Sequence, residues 1–141
     1  MELTTNEREY LATQPLGRLA TLGPDGSPQS RPVGFFVNDE LGTIDIGGHN
    51  IVQSQKFRNV QRDARVSLVV DDLATIDPWA PRGIEIRGTA EALPDAAPPR
   101  PGFSPGLIRI RPQRVLGWGL DTNAFAPPNA RNVGAGPEGP S

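Results

Sequence analysis

Cysteine is absent from this chain of 141 residues, which excludes disulfides, thiolate nucleophiles and cysteine-ligated zinc. A single histidine excludes a histidine-rich metal cluster. Fourteen Lys and Arg stand against 16 Asp and Glu, so no basic excess marks a nucleic-acid surface. No apolar run nears the roughly 18 residues of a membrane helix, and Met1 to Asn6 has neither the charge nor the apolar character of a leader. No Gly-x-Gly-x-x-Gly opens a helix after a strand, and no phosphate-binding P-loop is present, which argues against a nicotinamide Rossmann site. The expectation is a cytoplasmic protein engaging neither nucleic acid nor membrane.

What is present reads as one mostly β domain. A chain of this length can bury a working core unaided, yet only 36% of its residues are hydrophobic. Part of that core is therefore expected to be completed by a second copy. Thr4 and Glu7 form a capping-box pair opening a helix to Thr13, with Tyr10 and Leu11 as apolar contacts. Strands are expected at 17–22, 28–37, 43–46, 65–70 and 83–93, with a last strand region at 107–120 broken by Pro112. Pro28 and Pro32 cannot donate to a ladder, so the first half of 28–37 belongs at an edge or goes unpaired. Ile84, Ile86 and Ala90 alternate with Glu85, Arg87 and Thr89, the pattern of a half-buried antiparallel strand. Residues 94–105 carry five prolines and read as a stiff connection. Short strands in hairpin order, crossed once by a helix, point to a small antiparallel barrel over residues 1–120. Residues 121–141, rich in Pro, Gly, Ala and Asn, are expected to form a flexible tail.

The most informative stretch is Gly47-Gly48-His49-Asn50 followed by Ser54-Gln55-Lys56-Phe57-Arg58-Asn59. Glycines let a ligand approach the main chain closely. Asn50 as N-cap, with Gln53 three places on, predicts a helix over 51–62. A helix start flanked by Lys56, Arg58 and Arg62 can hold a phosphate; it can equally be a capped surface helix with solvated cations.

Leu16-Gly17-Arg18-Leu19-Ala20-Thr21, Asp25-Gly26-Ser27-Pro28 and Pro32-Val33-Gly34-Phe35 together resemble the opening of the pyridoxamine 5′-phosphate oxidase-like superfamily. Ser54-Gln55-Lys56, Arg58-Asn59-Val60 and 64–70 continue the likeness. Residues 78–88 and Ile108-Arg109-Ile110-Arg111-Pro112 resemble its actinobacterial deazaflavin-dependent branch. The resemblance covers about residues 5–120 and implies a homodimeric split β-barrel with cofactor sites at the subunit interface. It implies the 5-deazaflavin coenzyme F-420, with FMN as the alternative, and hydride transfer to a small unsaturated or electron-poor substrate. A non-catalytic deazaflavin carrier is the rival outside the enzymes, and a small-ligand sensor on the same barrel is weaker still.

By position, Lys56 matches the family's phosphate-binding lysine, with Arg58 assisting the anion and Asn59 serving the site or the fold. Where FMN-binding members often read Ser-Arg-Lys, this chain has Ser54-Gln55-Lys56, one bidentate phosphate ligand fewer. Gln29, Arg31, Pro32 and Val33 lie on the strand that in the family runs beside the ring, with Gly47 and Gly48 at the turn. Trp79 either stacks near the ring or plugs the barrel; Arg82 either binds an acidic tail or pairs with Glu85. Arg18, Arg31, Lys56, Arg58 and Arg82 are expected to line a cationic channel if the fold gathers them. His49 is the one weak candidate for proton donation. Trp118, between two glycines, reads as packing.

Overall fold

The computed structural model describes residues 2–134. Helix α1 (Thr5–Thr13) precedes strands β1 (Gly17–Leu22), β2 (Pro28–Val33), β3 (Phe36–Asn38) and β4 (Thr43–Ile46). A 3-10 turn (Ile51–Gln53) leads into helix α2 (Gln55–Arg62), followed by β5 (Arg65–Thr75), β6 (Ala80–Leu93), β7 (Leu107–Trp118) and β8 (Asn129–Asn132). All strand pairs are antiparallel, in the order β2-β1-β5-β6-β7-β4-β3, with β8 added beside β7.

The two ends of that order are neighbours in the chain. Only Gly34 and Phe35 separate β2 from β3. Three Cα steps span at most about 11 Å, so the sheet must roll until its ends meet. No ladder joins β2 to β3 among the described residues, and the rolled sheet is split there. The strand expected over 28–37 is thus two strands on opposite edges. Its first half is the edge foreseen from the prolines: Pro28 and Pro32 sit in β2, whose one ladder is to β1.

Side chains paired in register share a face, which sorts the sheet. Leu19, Leu68, Ile84, Ile86, Ile108, Ile110 and Val115 fill the inside, and Phe57 and Val60 enter it from α2, which packs on β1 and β6. In β2, Gln29, Arg31 and Val33 pair with Thr21, Leu19 and Gly17 and belong to this inner face; Ser30 and Pro32 face outward. The capping box of α1 is formed as expected: the Thr4 hydroxyl accepts from the Glu7 N–H and the Glu7 carboxylate accepts from the Thr4 N–H.

Several expectations are corrected. Asn50 is not the cap: its backbone is left-handed (φ 57°) and its side chain caps nothing, while Ser54 accepts from the Phe57 N–H and begins α2. β5 continues past Asp72 to Thr75, and β6 begins at Ala80 rather than 83, because Asp71 to Leu73 stay in register with Pro81 to Gly83. Pro112 does not break β7, because an irregularity at Arg87/Gly88 leaves Gln113 unopposed and absorbs the missing N–H. Part of the expected tail is built into the domain. Residues 129–132 pair with 114–117, Val133 is buried, and Arg131 donates to both oxygens of the fully buried Glu7 carboxylate. The rest of that expectation, residues 135–141, lies outside the described residues.

Candidate functional site

The site starts from Ser54. Its hydroxyl donates to the Ile51 carbonyl and accepts from Phe57, separating the 3-10 turn from α2. Gln55 and Lys56 therefore occupy the first turn, where their N–H groups have no acceptor within the helix. On α2, Lys56 and Asn59 are three apart and share one side. Asn59 is fully buried and donates to the Thr21 hydroxyl at 2.9 Å and to Gln29 Oε1 at 2.8 Å, clamping the helix across β1 and β2. Two residues along β2 on the same face comes Arg31.

Arg31 lies close enough to Lys56 to affect its ionisation. Burial first, and the Arg31 charge second, hold the Lys56 ammonium below its ordinary value. Among the described residues neither cation has a carboxylate within ion-pair distance, although eight arginines elsewhere do. The half-buried Lys56 and the exposed Arg31 thus bring two like charges near a helix start, an arrangement that an anion would relieve.

The other expected residues are distributed differently. Gln55 donates to Asn59 Oδ1 at 2.8 Å and accepts from Arg58, whose other donor goes to the Gln53 carbonyl at 2.7 Å. Arg58 is thus folded back on the start of its own helix. Gly47 is buried beneath the β6–β7 connection, where a Cβ would meet Pro99 Cδ at 2.6 Å. The Gly48 carbonyl accepts from the Ser104 hydroxyl at 2.9 Å. His49 is exposed, its ring edge-on to Phe103 at 5.6 Å. Trp79 is 58% exposed in the β5–β6 turn and is not a barrel plug.

Arg82 does not pair with Glu85. Residues three apart on a strand point to opposite faces, and Asp72 stands directly opposite Arg82 in register. The guanidinium donates to both Asp72 oxygens, at 2.8 and 3.1 Å, and lies 5.1 Å from the Tyr10 ring centre; Glu85 pairs with Arg87 instead. Arg18 is paired with Asp71. The expected five-cation channel therefore reduces to Arg31 and Lys56. Trp118 lies across Gly83, where a Cβ would meet it at 2.6 Å.

Two features escaped sequence reasoning. Lys56 is the single lysine of a chain with 13 arginines, a count that alone marks the position. A cavity of about 670 Å³ between α1, the β2–β3 link and the β6–β7 connection includes Phe35, Phe36, Arg100 and Phe103. Its signal was the adjacent Phe35-Phe36 pair in a chain only 6% aromatic.

Residues 3–118 match the family model described as pyridoxamine 5′-phosphate oxidase. The chain is 42% identical over 136 residues to a 5a,11a-dehydrotetracycline/5a,11a-dehydrooxytetracycline reductase of Streptomyces rimosus, covering 96% of each. Among solved structures, a heme-binding protein of Mycobacterium smegmatis is similar with a TM-score of 0.68 and 20% identity, over 94% of this chain and 59% of that one. An FAD-binding protein of the same organism is similar with a TM-score of 0.62 and 19% identity, over 82% of this chain and 93% of that one. At these identities the two structures speak to the fold alone.

Proposed function

Because the chain belongs to the pyridoxamine 5′-phosphate oxidase family, we propose that its oxidoreductase chemistry runs on the deazaflavin coenzyme F-420, with the coenzyme's phosphate held by Lys56 and Arg31. The observation that carries this reading is the pair of neighbouring cations without an acidic partner at the start of α2. When bound, the coenzyme supplies a hydride for an electron-poor carbon of a small unsaturated acceptor. The protein supplies position and charge. Gln29 is held by Asn59 and sets the β2 wall, while Pro32 and Val33 continue that strand toward the split. Gln55 is neutral, and its amide is engaged with Asn59 and Arg58, so this position offers no third cation of the kind a terminal FMN phosphate favours. The reductase relative supports a conjugated acceptor of the dehydrotetracycline kind.

The same reading includes a homodimer. Ala20, Leu22, Val69 and Leu116 are only half-buried, although they face outward from the centre of the sheet. A shallow apolar hollow of about 180 Å³ lies there, beside Pro28. A second copy covering this face would complete the core that the modest hydrophobic content leaves short. Light scattering should then give twice the 15.1 kDa chain mass.

The test is a fluorescence titration with F-420 and FMN side by side, on the native protein and Lys56→Ala. Loss of a charge-assisted contact should weaken F-420 binding by about 1–3 kcal/mol, or roughly five- to 150-fold. Unchanged affinity removes the phosphate assignment, and a preference for FMN moves the chain to the flavin branch. Binding without oxidation of the reduced coenzyme by an enone or nitro acceptor favours the carrier.

A further inference from the structure

The cavity of about 670 Å³ is lined by neither Lys56 nor Arg31 and differs in chemistry from the corner where those cations lie. Its size falls within the range of small-molecule pockets. One wall is the C-terminal half of α1 and its exit to Pro15; the other is the link from Gly34 to Val37. A chain with five phenylalanines places three of them here: Phe35, Phe36 and Phe103. Phe36 and Phe103 are only half-buried and meet edge to face at 6.2 Å. Core filling does not require two aromatic rings left open to a cleft.

The charges at the cavity are arranged unequally. Arg8 is neutralised by Asp39, tying α1 to the end of β3. Arg100 lies over the Phe36 ring at 4.6 Å and, among the described residues, has no carboxylate within ion-pair distance. Stacking holds a guanidinium by its face and leaves its N–H edge available. Aromatic walls select a flat, conjugated body; the free edge selects an acidic oxygen on it.

We infer that this cavity binds a planar conjugated molecule carrying an ionised oxygen (a phenolate, enolate or carboxylate), with the ring against Phe36 and Phe103 and the oxygen on Arg100. The cavity adjoins Gly34, three residues beyond Arg31 on the same segment. Its role as the acceptor pocket rests on the reductase reading; its ligand chemistry does not.

The probe is 1-hydroxy-2-naphthoate, titrated by fluorescence against its neutral methyl ester. The native protein should bind the acid saturably and at least tenfold tighter than the ester. Arg100→Gln should erase that difference, Phe36→Leu should weaken both ligands, and Lys56→Ala should leave both unchanged. Arg100 is exposed on the connection, and native near-ultraviolet circular dichroism verifies the fold of each variant. Absence of saturable binding, equal affinity for acid and ester, or a loss in Lys56→Ala that Arg100→Gln does not share overturns the assignment. The two readings fail separately: Arg100-dependent naphthoate binding without F-420 binding sinks only the coenzyme, and the reverse sinks only this pocket. Where both hold, Arg100→Gln should raise KM for an acidic acceptor while leaving coenzyme affinity unchanged.

Discussion

Arg131→Ala should destabilise the protein far more than its place near the C-terminus suggests. Glu7 is 0% exposed, and the side chain of Arg131 is 23% exposed. Arg131 donates to both carboxylate oxygens and also to the Glu2 carbonyl at 2.9 Å, so it joins β8, α1 and the segment before α1. Truncation leaves a buried carboxylate with only the N–H of Thr4 as a hydrogen-bond donor. Breaking a buried pair by removing one partner costs about 3–5 kcal/mol, and the exposed portion of Arg131 argues for the lower end. For a domain of this size each kcal/mol moves the melting temperature by about 3–4 °C, so a fall of about 10 °C is expected. Urea unfolding at fixed protein concentration gives the free energy directly. Two controls isolate the cause. Arg65→Ala removes an exposed partner of Asp63 and should leave the melting temperature nearly unchanged. Glu7→Gln with Arg131→Met removes both charges at similar volume and should recover most of the loss. An Arg131→Ala protein within about 0.5 kcal/mol of native refutes the reasoning and shows that water reaches Glu7 freely.

Lys56 and the α-amine are the only aliphatic amines in the chain, so reductive ¹³C-methylation gives NMR signals assignable to each. The Lys56 signal should titrate below the ordinary lysine value, rise part-way in Arg31→Ala, and rise further on adding inorganic phosphate; an ordinary titration refutes the paired-cation site. A depressed lysine also means the unfolded chain binds more protons, so stability rises with pH between the folded value and about 10.4. For Asp45, burial opposes ionisation, but hydrogen bonds from Arg109, Asn38 and Thr43 hold its carboxyl below the usual range. Its stabilisation is present above about pH 4 and is lost as pH falls through the depressed value, so the native protein should lose more stability than Asp45→Asn between about pH 5 and 2 in urea titrations. Gly47→Ala should cost about 1–3 kcal/mol of stability by pressing on Pro99 and Phe103; unchanged melting with weakened coenzyme binding would show that the glycine serves the ligand instead.

The fold was largely legible because its signals are local. Alternation along 83–93 names the inner face of β6, the Thr4–Glu7 spacing names the α1 cap, and the prolines of β2 name an edge. What escaped depends on register. Nothing within 28–37 says that Gly34 and Phe35 divide opposite edges of a rolled sheet. Arg82 and Glu85 look like neighbours in sequence, but pleating separates them and brings Asp72 across. The polar composition of 121–134 hides a strand whose anchor, Glu7, lies 124 residues away. Of the candidate site, the placement of Lys56 and Asn59 on one helix was legible, because their spacing is local. Their partners Gln29 and Arg31 gain meaning only from the strand placed beside that helix.

The distribution of cations joins these points. Every ion pair among the described residues uses arginine, whose planar fork suits carboxylates held across strands or along them. That work fixes the sheet, the first helix and β8. Six cations contribute no such pair: Arg58, Arg62 and Arg114 donate to carbonyls and amides of the fold, which leaves Arg31, Lys56 and Arg100 for the proposed sites. Arg31 on β2 lies close enough to Lys56, in the first turn of α2, to disfavour its charge, and Arg100 is stacked on an aromatic ring beside a cavity. Lysine is used once, where its charge is half-buried and disfavoured by burial and by Arg31. An ammonium shifts its proton affinity with such surroundings, whereas a guanidinium stays charged. The ion-paired arginines thus serve the fold, whereas Arg31, Lys56 and Arg100 are the cations on which the two proposed sites rest, the first beside Arg31 and the second beside Phe36.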